Sequence, residues 1–380
     1  MNPRKIIIAA DSFKGTLTSA QVGGITAEVA RQHFSDCEVI NIPIADGGEG
    51  SVDCFLSCLN GDKKMLTVKG PLMKDMESFY AVLDNKTAVI EMAACAGLPL
   101  MGDKKDPFNA STYGVGQLIN AAVQRGVNEI ILGLGGSATN DGGCGAAAAC
   151  GVKFYKSDGS VFIPTGGTLK YIEKIEPNIF SAVKITAMCD IINPMHGESG
   201  AAYIFGPQKG ASPKDVKILD EGLKHLDAVI ARDLKKSVAN VPGSGAAGAM
   251  GAGMLAFFNA ELKAGIEVVL DTVGFDNLLE DADLVISGEG SFDNQSLGGK
   301  VVSGIAKRSK RRNVPLIVVA GGAQDLPGAY EIGVTAVFTI NRLPESLKDS
   351  ARKSSDNLRA EVDNIFRLIR AIKNHREIYP

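Results

Sequence analysis

The chain reads as an α/β protein of two domains, and three observations lead there. Short apolar runs end in glycine-rich or polar turns and give way to stretches of helical period at both ends of the sequence. The period falls to two between Lys64 and Met92. The length of 380 residues exceeds the roughly 250–300 at which single cores stop growing.

Composition narrows the classes. With 45% hydrophobic and 22% charged residues, and no run near 18 apolar residues, the expectation is a soluble, cytoplasmic protein outside the membrane. A net charge of −3 offers no basic field for nucleic acid. The seven cysteines are odd in number, scattered and without a CxxC pair, so they read as packing residues rather than disulfides or zinc ligands. The 44 glycines cluster in discrete loops, which suggests backbone-lined binding sites.

In order, Arg4–Ala10 is a strand ending in Asp11-Ser-Phe-Lys-Gly15, followed by a helix that spaces Val22, Ile25 and Val29 on one face. Glu38–Ile44 is a second strand ending in Ala45-Asp-Gly-Gly-Glu-Gly50, with a helix through Val52, Phe55 and Leu59. Ligands of open α/β sheets bind at such strand ends, so Asp11, Ser12, Lys14, Asp46 and Glu49 are candidates. Lys64–Met92 is an antiparallel meander, and Thr112–Gln124 returns to helix. Glu129-Ile-Ile-Leu-Gly-Leu-Gly-Gly-Ser-Ala-Thr-Asn-Asp-Gly-Gly-Cys-Gly145 reads as buried strand, loop and helix start. Free N–H groups and the helix dipole would make this loop an anion site, with Gly135, Gly136, Ser137, Thr139 and Asn140 as contacts. Tyr155–Phe162 is a hairpin turning at Asp158-Gly159.

Ile185–Asp190 is another strand with an acid at its end, and Pro213–Leu234 is a long helix whose apolar stripe belongs to the core. Gly243-Ser-Gly-Ala-Ala-Gly248 spells GxGxxG without the preceding strand that a dinucleotide site requires; its small residues suit either close helix packing or ligand approach. Asp283–Ser287 leads into Gly288-Glu-Gly-Ser-Phe-Asp293 and Lys300, adding Gly288, Glu289, Gly290, Asp293 and Lys300 to the candidates. Strands at Pro315–Ala320 and Ala336–Ile340 and a helix through Leu358, Val362, Ile365 and Phe366 complete the chain. The expected division places residues 1–63, 110–150 and 280–380 in a parallel-sheet domain and 64–109 with 151–279 in an inserted mixed domain.

Strand ends carrying Asp11, Asp46, Glu49, Asp190, Glu289 and Asp293 with Lys14 and Lys300 suit Mg²⁺ and phosphate, the parts phosphoryl transfer needs. Walker A, DFG and HRD signatures are absent. Histidine-based hydrolysis is poorly supported, with only His196 near a candidate site. The rival is an NAD-dependent oxidoreductase using Gly133–Ala138 as GxGxxA, but its ribose-binding acid would fall at Asp158, in a hairpin turn.

Asp11–Gly15, Ala45–Gly50, Gly133–Gly143, Phe205-Gly-Pro-Gln-Lys-Gly210 and Gly288–Asp293, in this order over nearly the whole chain, together resemble the bacterial glycerate kinase family. The resemblance implies a Rossmann-like domain carrying an inserted α/β domain and ATP-dependent phosphorylation of D-glycerate with Mg²⁺, 2-phosphoglycerate being preferred over 3-phosphoglycerate. Another small hydroxy acid is the alternative substrate. A homodimer is left open. On this reading Asp190, Asp11 and Lys14 are catalytic, with Asp190 the favoured base. Gly135, Gly136, Ser137, Thr139, Asn140, Gly288, Gly290 and Lys300 hold the nucleotide. Ser12, Lys14, Asp46, Lys209 and Asp293 bind substrate, and Asp46, Glu49 and Glu289 bind metal. Ser291 departs from the Gly-Glu-Gly-Arg expected of the family, which would pass that arginine's task to Lys14, Lys209 or Lys300.

Overall fold

The computed structural model describes residues 3–44, 47–178, 183–294, 296–298, 300–324, 326–341 and 346–378. Its strands are β1 (Lys5–Ile8), β2 (Glu38–Asn41), β3 (Gly61–Lys69), β4 (Asp75–Leu83), β5 (Thr87–Glu91), β6 (Glu129–Gly133) and β7 (Lys153–Tyr155). They continue with β8 (Val161–Phe162), β9 (Lys174–Glu176), β10 (Lys184–Met188), β11 (Glu261–Lys263), β12 (Leu284–Phe292), β13 (Leu316–Ala323) and β14 (Val334–Thr339). The architecture is α/β, with one parallel and one mixed sheet dominating two compact units, Met1–Ala45 with Ile266–Pro380, and Asp46–Gly265.

The first unit holds a five-stranded sheet of order β14-β13-β12-β1-β2, every pair parallel. Helices cover it, so Ile6, Ile7 and Ile8 are fully buried on a strand with no polar alternation. Both ends of the chain thus meet in one sheet, as their shared strand-helix alternation suggests. Helices Ser19–His33 and Ser354–Ile378 pack together over it, joining Val22 and Val29 to Leu358, Val362 and Phe366. The first begins with a capping box between Thr18 and Gln21.

Helix Val301–Arg311 packs against β12 and β13. Its Arg308 side chain, 6% exposed, meets Glu267 (2.5 Å), Asp271 (2.6 Å) and Asp276 (3.0 Å). These three acids are about half exposed and rehydrate once the guanidinium is gone, so its removal strands no buried charge and costs only the pairing and packing it supplies. Arg308→Met is therefore expected to lower stability by about 1–2 kcal/mol in urea unfolding. A loss below about 0.3 kcal/mol would mean the clamp contributes nothing net.

The second unit is built on a six-stranded mixed sheet, β11-β10-β6-β5-β4-β3. β11, β10, β6 and β5 run parallel, while β5, β4 and β3 form the expected antiparallel meander. A small antiparallel sheet, β8-β7-β9, includes the hairpin around Gly159. Helices Tyr113–Gln124 and Cys144–Ala149 pack at Gly116, where a Cβ would stand 2.3 Å from the Ala146 carbonyl.

The expected domain division needs correction here. β6 does not join the first sheet; it pairs with β5 and β10, placing residues 110–150 in the second unit, which also takes residues 46–63, while residues 266–279 belong to the first. A central parallel strand is apolar on both faces whichever sheet receives it, so Ile130–Leu132 carry no mark of their partner.

Candidate functional site

The candidate residues divide between the two units. In the first, β1 and β12 end side by side, and the N–H of Asp11 donates to the Gly288 carbonyl at 2.8 Å. The Asp11 carboxylate accepts from the Ser12 N–H at 2.6 Å. Gly290 lies close under the Phe13–Lys14 backbone: a Cβ there would be 3.2 Å from the Lys14 nitrogen. Asp11, Ser12, Lys14, Gly288, Glu289 and Gly290 thus belong to one constellation, with Asp293 and Lys300 acting electrostatically on Glu289.

Glu289 is its unusual member. Burial pushes its carboxyl up to about 7, and Asp11 and Asp293 add to the rise, against the Ser296 hydrogen bond and Lys300. Its Oε1 is buried without a hydrogen-bond partner among the described residues. Ser291, where the resemblance led to an expected arginine, is exposed on β12.

In the second unit a cleft of about 450 Å³ opens at the C-terminal ends of β6 and β10. The Gly135-Gly136-Ser137 turn, Asp190, Gln208 and Lys209 supply its polar wall. Leu134, Met188, Ile191 and Phe205 supply much of the apolar wall. Gly136 has φ +73°, a left-handed turn natural to glycine, and its carbonyl accepts from Leu98 N–H at 2.8 Å. Asp190 follows β10, and its Oδ1 accepts the Gly265 N–H at 2.7 Å. Cys189 shares the wall, but burial pushes its thiol up and Sγ contacts the Ile191 and Gly243 carbonyls, the marks of an inert packing residue.

The segment opposite is strained. Ala247, Gly248 and Ala249 all have left-handed backbone, with φ of 56°, 68° and 66°. Each alanine costs roughly 1 kcal/mol or more in that region. The excursion lets the Gly248 carbonyl accept from the Gly142 N–H at 3.1 Å, and a Cβ on Gly248 would fall 2.0 Å from the Thr139 carbonyl. Gly253 likewise leaves no room, at 2.4 Å from the Gly142 carbonyl. The small residues of this segment serve close packing on the loop, while Ala246 and Ala247 also face the cleft.

The helix start behind the loop does not present the expected anion site. Asp141, fully buried, accepts from the N–H groups of Gly143 (3.1 Å) and Gly145 (3.2 Å) and from both N–H and hydroxyl of Thr112 (2.8 Å each). The Thr112 hydroxyl in turn accepts from Ala146 N–H at 2.9 Å. Burial raises the Asp141 carboxyl, and the four donated bonds pull it back down. The protein's own carboxylate fills the place a phosphate was expected to take, and only the earlier turn, Gly135–Ser137, faces the cleft.

Thr139 and Asn140 lie behind the wall, at 0% and 1% exposure; the Asn140 amide has no partner among the described residues. Glu49 is exposed beside the N-terminus of helix Ser51–Cys58, while Asp46 lies outside the described residues. His196 approaches Asp227 at 3.4 Å. Sequence reasoning missed Glu91, 3% exposed, which accepts from Val52 N–H at 2.5 Å and from Gly50, tying down the turn after Gly47. The signal was available, because Glu91 is one more acid closing an apolar strand.

Within the second unit, then, one cleft brings together a glycine-serine turn, the Asp190 carboxylate and a buried lysine. Comparison with known proteins agrees: the chain belongs to the glycerate kinase family, whose model matches residues 6–370. It is thus an enzyme of the kinase class. It is 42% identical over 368 residues to the glycerate kinase of Halalkalibacterium halodurans, covering 95% of this chain and 97% of that one. Identity to the glycerate 2-kinase of Escherichia coli K12 is 40% over 369 residues, with coverage of 95% and 97%. A crystal structure from Salmonella typhimurium LT2 superposes with a TM-score of 0.87 at 37% identity, covering 98% of this chain and all of that one.

Proposed function

We propose that this kinase transfers the γ-phosphoryl group of ATP to D-glycerate with Mg²⁺, yielding 2-phosphoglycerate. The cleft in the second unit is the observation that carries the reading. At about 450 Å³ it exceeds what a three-carbon acid needs and suits a nucleotide, and it pairs apolar walls with a glycine-serine turn and a lysine. The 40% identity to a protein named glycerate 2-kinase supports the 2-phosphate over the 3-phosphate. The all-parallel sheet of the first unit supports its Rossmann-like reading. Against NAD chemistry, Asp158 is engaged within its hairpin, where its carboxylate accepts from Ser160 N–H at 2.9 Å and the Ser160 hydroxyl.

In this reading Gly135, Gly136 and Ser137 line the nucleotide's path, and Thr139 and Asn140 support it from behind. Asp190, on the same wall, is the base that orients and deprotonates the acceptor hydroxyl. Asp11, Ser12 and Lys14, with Gly288, Gly290, Asp293 and Lys300, form the first unit's polar set, where Lys14 and Lys300 neutralise anionic charge. For the cation, no three acids converge among the described residues; in the first unit Glu289, with a buried oxygen that has no partner among them, is the proposed donor, and Glu49 and Asp46, the latter outside the described residues, are proposed donors in the second. When bound, Mg²⁺ would neutralise charge on the phosphates.

Incubation with MgATP and a panel of small hydroxy acids tests the reading. ADP release should rise with D-glycerate above every other acid, and phosphorus NMR should place the phosphate on the 2-hydroxyl. Preference for another acid would remove glycerate as the substrate, and a signal from the 3-phosphate would correct the product.

A further inference from the structure

Lys209 is almost wholly buried, at 2% exposure, yet it stands on the wall of the cleft. Its Nζ donates to the Ser137 hydroxyl at 2.9 Å and to the Thr139 carbonyl at 2.7 Å, and both acceptors are uncharged. No carboxylate pairs with it among the described residues. A buried ammonium without an acidic partner is costly, and this one is held within a loop that faces a ligand-sized space. Its position is enforced: Gly206-Pro-Gln-Lys-Gly210 turns tightly, with Pro207 opening the turn, and Gly210 at φ +95° packs against Lys105.

We infer that Lys209 is a proton-coupled oxyanion receptor: an anionic oxygen of the bound ligand becomes the counter-ion of its ammonium, and binding draws a proton onto the amine. The inference rests on the kinase reading and assigns one residue within it. Burial depresses Lys209 to about 7, so the ligand-free amine gives up its proton far more readily than an exposed lysine. The surrounding charges are few. The loop contributes Asp141, whose attraction opposes the depression; β10 ends in Asp190 on the same cleft wall; Lys105, bonded to the Gln208 carbonyl at 3.1 Å, flanks the turn; Leu98 and Ala246–Ala247 bring no charge. An arriving carboxylate or phosphate oxygen restores the value expected of a paired lysine.

Calorimetric titration in two buffers of different ionisation enthalpy measures the proton. D-Glycerate and a non-hydrolysable ATP analogue with Mg²⁺ form the two arms, the first a carboxylate source and the second a phosphate source. Uptake should approach ~1 proton per ligand at pH 8, where Glu289 is already largely ionised, in whichever arm supplies the oxyanion. Lys209→Met should bind that ligand at least ~10-fold more weakly while unfolding no more easily than the native chain, because it removes a buried, unpaired charge. Lys209→Arg, permanently charged, should retain binding and lose the uptake. Binding of both ligands with no proton uptake at pH 8 would overturn the inference and leave the kinase reading intact. Failure of either ligand to bind the native protein in any buffer would sink both.

Discussion

Asp141→Ala is expected to lower stability by about 3–5 kcal/mol, the largest single effect anticipated in the second unit outside its apolar core. The variant leaves two backbone N–H groups of the Cys144–Ala149 helix start and both donors of Thr112 facing a buried void. It also withdraws the attraction that holds up the Lys209 ammonium, so that amine should fall further below its ordinary value. Asp141→Asn, which keeps the shape and two lone pairs, should lose roughly half as much. Urea unfolding of the two variants measures the difference. A loss under about 1 kcal/mol for the alanine would show that the four bonds do not hold the loop.

Asp190→Asn should lower kcat by about 10²–10⁴-fold while leaving stability within about 1 kcal/mol of the native chain. The amide oxygen can still accept the Gly265 N–H, so the turn after β10 survives, but the group can no longer take a proton from the acceptor hydroxyl. Turnover at saturating ATP, D-glycerate and Mg²⁺ is the measurement. Near-native turnover would transfer the base to another carboxylate, with Asp11 next in line, without touching the assignment of the kinase.

What could be read from the residues, and what could not, follows from the range of the interactions. Strands such as Ile6–Ile8 and Ile130–Leu132 announce themselves through burial on both faces, and the turns after them through glycine and acid, because both signals are local. The sheet that accepts β6 is decided by pairing with β5 and β10, a contact the run Ile-Ile-Leu does not encode. The helix start that was expected to hold an anion was misread for a related reason. A carboxylate that caps its own helix and one that faces a ligand have the same spelling, and only Thr112, 29 residues away in sequence, tells them apart. The left-handed turn at Ala247–Ala249 runs against local preference outright and exists because the packed loop behind it demands that path. Lys209 was legible as a candidate, but not its burial, which depends on the closing of its turn against the loop.

The order of strands in the parallel sheet has a consequence for how the protein is made. β1 lies between β2, which follows it closely, and β12, whose approach brings Arg4 to Asp283 across 279 residues of sequence. At a synthesis rate of about 5–20 residues per second, Ile6, Ile7 and Ile8 wait on the order of tens of seconds for that second neighbour. The intervening Asp46–Gly265 unit is continuous and emerges whole in the meantime, so it can complete its own sheet first. The nascent chain therefore leaves one edge of this buried strand unpaired through that interval, and a chaperone holding the first forty-odd residues would act while that edge is prone to aggregate.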